Sequence, residues 1–131
     1  LALLNELMTA LTTLEKQVGQ AQVDGRSLQQ TFLRAQQCFQ QQLLPTLVAL
    51  PAAPTLMPLQ TEMNRAWRLL GIDVSFWQSA QNPITAQKRQ AQMQQRLRQL
   101  LDFSQALRTA LAPTATPAGT SERTTESDRL G

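Results

Sequence analysis

Few side chains in this sequence belong to the types that perform chemistry. It contains no His, so the commonest general base and a frequent metal ligand are missing. The single cysteine, Cys38, forms neither a disulfide within the chain nor, without His, a zinc site. Six acidic residues precede residue 113, namely Glu6, Glu15, Asp24, Glu62, Asp73 and Asp102. They form neither a close acid pair nor the Glu-x-x-His pattern of di-iron bundles. We therefore predict that the chain is not an enzyme and uses no cofactor, metal or small-molecule substrate.

The most unusual acid is Asp73, which lies between apolar neighbours in the sequence LLGIDVSFW. On a helix it projects beside the stripe expected to face the core, where a carboxylate needs a partner. The interpretation that we favour is a salt bridge or hydrogen bond to an Arg on a neighbouring helix. A direct contact with a partner protein is the alternative.

The same segment carries two apolar stripes. The expected core stripe consists of Leu59, Met63, Ala66, Trp67, Leu70, Val74 and Trp77. A second stripe, Leu69, Ile72 and Phe76, widens the apolar surface well beyond the roughly 100° of an ordinary surface helix. We favour its cover by the same chain, through Leu56 and Met57 or the end of the preceding helix. The alternative is a protein interface, whose candidate residues are Arg65, Arg68, Leu69, Ile72, Asp73 and Phe76.

Positive charge is concentrated in the second half of the chain. Residues 1–58 carry three basic and three acidic side chains, whereas residues 59–112 carry seven basic and three acidic ones. This field favours an acidic protein, a phosphate backbone or an anionic membrane surface. The basic residues of the last helix are Lys88, Arg89, Arg96, Arg98 and Arg108. They are scattered around the helix among glutamines. This scatter is not the pattern of a phosphate-binding track, so nucleic-acid binding is kept as the alternative function, with peripheral membrane binding as a third.

Apolar spacing predicts two helices in the first half. Leu4 to Ala21 carry apolar residues at steps of three and four, which is typical of a helix. A turn at residues 23–26 precedes a second helix, which Ser27 and Gln30 would begin with a capping box. Its inward face is predicted to be Leu28, Phe32, Ala35, Phe39 and Leu43. Pro45 should kink or end this helix.

The second half predicts another pair of helices. The third runs from about Leu59 to Ala80, and the fourth follows Asn82-Pro83 with Thr85 as its N-cap. The Pro-rich stretch 51–58 is expected to be an extended connector. The fold class is then all-α, a four-helix bundle of two antiparallel helical hairpins, with two hairpins packed as a dimer as the alternative. Residues 1–112 would form the bundle, and residues 113–131, rich in Thr, Ser and Pro, a flexible or disordered tail.

The segment Leu59–Leu107 resembles the cyanobacterial heterocyst frequency control protein PatD family. The likeness lies in TEMNRAWRLLGIDVSFWQSA, in the Thr85-Ala86-Gln87 start of the last helix, and in the Gln/Arg/Leu pattern after it. The element FLRAQQCFQQQLLP, Phe32–Pro45, is similar too. The first helix matches only in general character.

The resemblance implies a small regulator that limits how many cells of a filament become heterocysts and that acts on polymerisation of the division protein FtsZ. Because such proteins also occur in unicellular cyanobacteria, a role in cell division would be the more general one. We therefore expect a protein partner, FtsZ, and leave a homodimer open. The lone thiol and the lack of an apolar stretch near 20 residues predict a cytoplasmic protein.

Overall fold

The computed structural model describes residues 2–112, which form an all-α bundle of four helical rods. The elements are α1 (Ala2–Val18), α2 (Gly25–Gln37), a π-helical segment (Cys38–Leu43), α3 (Leu44–Val48), α4 (Ala53–Ser79) and α5 (Pro83–Leu111). The second rod comprises α2, the π-helical segment and α3 without interruption. Both α1 and α4 pack along α5, and α1 also packs along α2. The predicted fold class is confirmed, and the predicted tail lies outside the described residues.

The second rod begins at Asp24 rather than at Ser27. The Asp24 carboxylate accepts hydrogen bonds from the backbone N–H groups of Arg26 (3.1 Å) and Ser27 (3.4 Å). The Ser27 hydroxyl also donates to this carboxylate, and these bonds lower the pKa of Asp24, the Ser27 side chain most strongly. The predicted capping box is therefore wrong. The acid three residues earlier accepts all three hydrogen bonds and leaves Ser27 inside the first turn.

Pro45 does not end the second rod, which continues to Val48. A proline inside an α-helix lacks a donor and clashes with the carbonyl four residues earlier. Here the chain widens into a π-helix before the proline, and the Leu44 N–H donates to the carbonyl of Phe39, five residues back. The Thr46 hydroxyl donates to the Gln42 carbonyl at 2.7 Å. Pro45 consequently falls in the first turn of α3, where a missing donor costs little.

The expected extended connector at residues 51–58 is wrong from Ala53 onward. Pro54 lies in the first turn of α4, where its missing N–H has no intrahelical acceptor. Pro58 is one turn further and removes only the bond to the carbonyl of residue 54. Leu56, between them, is buried with 3% of its surface exposed. Burial of this side chain favours helix through the prolines, so the link between the rods shortens to residues 49–52.

The last helix begins three residues before the predicted start. Asn82 caps α5 by accepting the Ile84 N–H at 2.8 Å, and Pro83 occupies the first helical position. Thr85 is therefore not the N-cap, because proline is well suited to the position directly after a cap. The predicted inward stripes of both first-half rods are buried, apart from Ala21, which lies beyond α1. At the centre, the Trp67 ring lies 5.9 Å from the rings of Phe32 and of Phe39.

Candidate protein-binding site

Helix α4 has two chemically different faces. Its inner face is the predicted core stripe, in which Met63, Trp67 and Leu70 are fully buried. Its outer face, a name used below for Arg65, Arg68, Ile72 and Phe76, is exposed. Ile72 and Phe76 keep 43% and 51% of their surfaces exposed, although both are large apolar residues. The outer face combines apolar and guanidinium groups, which are enriched in protein interfaces.

The expectation that the chain covers the second apolar stripe is wrong for Ile72 and Phe76. Leu56 turns into the core, and Met57 is itself 53% exposed. Because α4 begins at Ala53, the Pro-rich stretch continues the helix and cannot fold back over it. The apolar surface therefore stays open.

Leu69 is more buried than Ile72 and Phe76, because it packs toward α5. It is half-buried and lines a recess of about 150 Å³ toward α5, together with Arg65, Arg96 and Phe103. Arg65 stands at the border between this recess and the outer face. The predicted second stripe is thus split, with Leu69 largely used in the α4–α5 contact.

Asp73 is buried between α4 and α5 and forms ion pairs with two arginines of α5. Its Oδ1 lies 3.7 Å from Arg89 Nη1, and its Oδ2 lies 3.4 Å from Arg96 Nε. The salt-bridge interpretation is confirmed. Since only 4% of Asp73 is exposed, its candidacy as a direct partner contact is wrong. Burial raises the pKa of this carboxyl, while the charges of Arg96 and Arg89 oppose the rise.

Arg89 connects the buried acid to the outer face. Its guanidinium carbon lies 4.5 Å from the centroid of the Phe76 ring, which is the geometry of a cation–π contact. The same Nη1 atom donates to Gln92 Oε1 at 3.0 Å. Asp73 and Gln92 thereby hold the arginine against the exposed phenyl ring. The Phe76 end of the outer face thus presents an aromatic ring beside a cation.

An open groove runs between the second rod and α4. One part, of about 580 Å³, is lined by Gln36, Gln40, Asn64, Arg68, Gly71, Ile72, Ser75 and Phe76. A smaller part, of about 180 Å³, is lined by Leu44, Val48, Met57, Gln60, Thr61 and Asn64. Because Asn64 lines both, they form one surface, called the α2–α4 groove below. Gly71 in this lining lies close to the buried Phe32 ring, which an added Cβ on Gly71 would approach to 3.4 Å.

The other sequence candidates show no sign of reactive chemistry. Cys38 is half-buried with its Sγ 4.0 Å from the Leu3 carbonyl, and burial followed by the charge of Glu6 raises the pKa of the thiol. A raised pKa disfavours the nucleophilic thiolate. Among residues 2–112, no three side chains of the His, Cys, Asp and Glu types come together as a metal site would require.

Several basic residues of α5 are occupied by neighbours within the bundle. Besides the two arginines on Asp73, Arg98 Nη2 lies 3.8 Å from Glu15 Oε2, and Arg108 donates to Asn5 and Gln105. These side chains point in different directions, as their spacing predicts. No described helix combines the length and hydropathy needed to cross a membrane.

No protein-family model, curated protein or solved structure matches this chain.

Sequence reasoning missed one end of the groove. Val48 and Met57 are 60% and 53% exposed, and neither was among the candidate residues. Met57, Thr61, Arg68 and Ile72 are separated by steps of four and seven, the spacing of one helix face. That signal becomes visible only when helix is allowed through Pro54 and Pro58.

Proposed function

We propose that this chain is a non-enzymatic regulator that binds another protein through the outer face of α4. We further propose that the partner is FtsZ, whose assembly it modulates, with an influence on division and heterocyst frequency in cyanobacteria. The observation that carries the first proposal is the exposed pair of Ile72 and Phe76 beside Arg68. Single exposed apolar residues are common on protein surfaces, but an adjacent aliphatic and aromatic pair with arginines resembles the anchors of interfaces.

The rigidity of this surface also supports protein binding. Phe76 is held by Arg89, which is itself held by a buried carboxylate. A side chain fixed before binding loses less conformational entropy when the complex forms. The outer face thus has the features of a preformed anchor site.

The identity of the partner rests on the resemblance of Leu59–Leu107 to the PatD family. This segment includes the whole outer face and most of α5. The excess of basic side chains in this half of the chain complements an acidic partner. FtsZ is therefore the partner to test first.

The test is co-sedimentation and light scattering of purified FtsZ from the same organism with GTP, with and without this protein. We expect the protein to pellet with the polymers and to change their mass or bundling. Ile72→Glu and Phe76→Glu should each weaken this effect by about tenfold or more, because each places a charge in an apolar contact. Far-UV circular dichroism of the variants checks that the bundle is intact.

Ile84→Glu is the matched control, since Ile84 is 65% exposed near the start of α5 and belongs neither to the outer face nor to the lining of the α2–α4 groove. It should retain the wild-type effect on FtsZ. If the wild type fails to pellet with FtsZ at low and at physiological salt, FtsZ is not the partner. Equal losses for Ile84→Glu and Ile72→Glu would contradict the location on the outer face.

A further inference from the structure

The two walls of the α2–α4 groove are regular. On the second rod the lining residues recur at steps of four, namely Gln36, Gln40, Leu44 and Val48. A step of four advances by about 40° on an α-helix, but the π-helical segment at Cys38–Leu43 has wider turns that keep such residues nearly in line. The π-helix thus gives the groove a straight wall. The antiparallel α4 forms the other wall.

Apolar residues mark the two ends of the groove, and polar residues lie between them. Val48 and Met57 are exposed at the α3 end, and Ile72 and Phe76 at the other. At 1.5 Å per residue, Met57 and Phe76 are about 29 Å apart along α4, which matches a helix of about 19 residues. Amides and Arg68 fill the middle. The pattern fits an elongated occupant with an apolar anchor at each end.

The charge of the groove indicates the chemistry of that occupant. Arg68 lines it, Arg65 lies beside it, and none of the described residues that line it is acidic. An acidic group opposite Arg68 would gain a charge-assisted contact. A basic or neutral segment would gain nothing there.

Neither a second copy nor the end of this chain satisfies these requirements. A two-fold axis at the middle of the groove, between residues 66 and 67 of α4, would place Arg65 of each copy opposite Arg68 of the other, which is a repulsive pairing. Residues 113–131 contain Leu130 as their only large apolar side chain, so they lack two anchors. We therefore look for the complementary segment in a partner protein.

We propose that the α2–α4 groove binds an amphipathic helix of the partner protein, with an apolar residue near each end and acidic residues in the middle. This inference rests on the proposed function, because it specifies what the partner presents to the outer face. It adds Val48 and Met57 to the contact surface. Helices that lie in grooves in this way are a recurring mode of peptide recognition.

The test uses fluorescein-labelled synthetic helical peptides of about 19 residues and fluorescence anisotropy with the full chain. One peptide carries Leu and Phe at both ends with two central Glu, and its matched partner carries two central Lys. We expect the Glu peptide to bind about tenfold or more tightly than the Lys peptide, and Arg68→Glu to reverse that preference. Met57→Ser combined with Val48→Ser should weaken the Glu peptide about tenfold, whereas Ile84→Ser should not.

Equal binding of the two peptides, or no binding at all, would overturn the inference. So would a concentration-dependent dimer in sedimentation-velocity experiments that Val48→Glu dissociates, since a second copy would then occupy the groove. The FtsZ assay separates this failure from that of the proposed function. If FtsZ pelleting depends on Ile72 but not on Val48 and Met57, and no peptide preference exists, the regulator proposal stands and the helix-in-groove inference is wrong.

Discussion

The inner and outer faces of α4 differ in how much the rest of the chain uses them. On the inner face every large side chain packs against another rod, and even the charged Asp73 has its ion-pair partners on α5. On the outer face Ile72 and Phe76 have equally apolar side chains, yet the bundle leaves them about half exposed. Apolar residues on the inner face of α4 therefore stabilise the bundle, whereas those on the outer face remain free to bind a partner. Substitutions on the inner face should therefore lower the stability of the bundle, and substitutions on the outer face should lower the affinity for a partner.

The largest difference is expected between Leu70→Ala and Ile72→Ala. Leu70 is 1% exposed, so its truncation removes buried apolar surface and leaves a cavity, at a cost of about 2–5 kcal/mol of unfolding free energy. Ile72 is 43% exposed, and its truncation should cost about 1 kcal/mol or less. Urea denaturation followed by circular dichroism measures both. Equal losses would mean that Ile72 belongs to the core and that the distinction between the faces is wrong.

A smaller effect of opposite sign is expected for Gly71→Ala, at the boundary between the faces. Gly71 lies inside α4, and an added Cβ would lie 3.4 Å from Phe32 Cζ, an ordinary van der Waals contact. Alanine should stabilise the protein by about 0.5–1 kcal/mol, because glycine loses more backbone entropy in a helix. The same denaturation assay measures the gain. A loss of stability instead would show that the buried Phe32 ring cannot move enough to accommodate one methyl group.

The smallest effect on stability at neutral pH is expected for Asp73→Asn, but it should change the pH dependence. The pKa of Asp73 is raised above its ordinary value of 3.8 by burial, so the folded state binds this proton more tightly than the unfolded state. The stability that the proton contributes is complete below pH 3.8 and is lost as pH rises through the raised native pKa. The unfolding free energy of wild type minus that of Asp73→Asn should therefore fall across this window and then level off.

Denaturation of both proteins in steps from pH 3 upward tests this sign. The exposed acid of α5, Asp102, provides Asp102→Asn as a control for the loss of one negative charge. If the difference between wild type and Asp73→Asn rises with pH, the attraction of Arg96 and Arg89 exceeds the desolvation of Asp73. Asp73→Asn should also weaken the contact between Arg89 and Phe76. The affinity for FtsZ or for the peptides should change as a result.

The sequence predicted the helical rods well because their inner faces are periodic. Leu4, Leu7, Leu11 and Leu14 repeat at the spacing of a helix, and all are buried. The partner type of Asp73 was also predictable, since a carboxylate among apolar neighbours requires a cation. The failures lie at Ser27, Thr85 and the prolines. At these positions, two or more residues that could begin or end a helix lie within a short stretch. Local preferences alone do not decide which of them does so.

The candidate binding site was predicted only in part. Arg68, Ile72 and Phe76 were named from apolar excess on one helix, and they do lie together on the outer face. Leu69 was predicted as part of the same apolar stripe and Asp73 as a carboxylate among apolar neighbours, but both face α5. One step along a helix rotates a side chain by about 100°, so neighbours in sequence are easily assigned to the wrong face when the positions of the other helices are unknown.

The amino-acid sequence by itself determined the all-α class, the four rods and most of the residues that fill the core, because helical periodicity is a local property. Tertiary structure alone decided that α4 continues through Pro54 and Pro58, that Pro45 is accommodated by a π-helix, and that Ile72 and Phe76 stay uncovered. The physical reason is burial between rods: Leu56 is buried as α4 continues through its prolines, and Phe39, Leu43 and Leu47 all stay buried along the π-helix and α3. The burial of Leu56 and the distance between the second rod and α4 exist only once the bundle has formed.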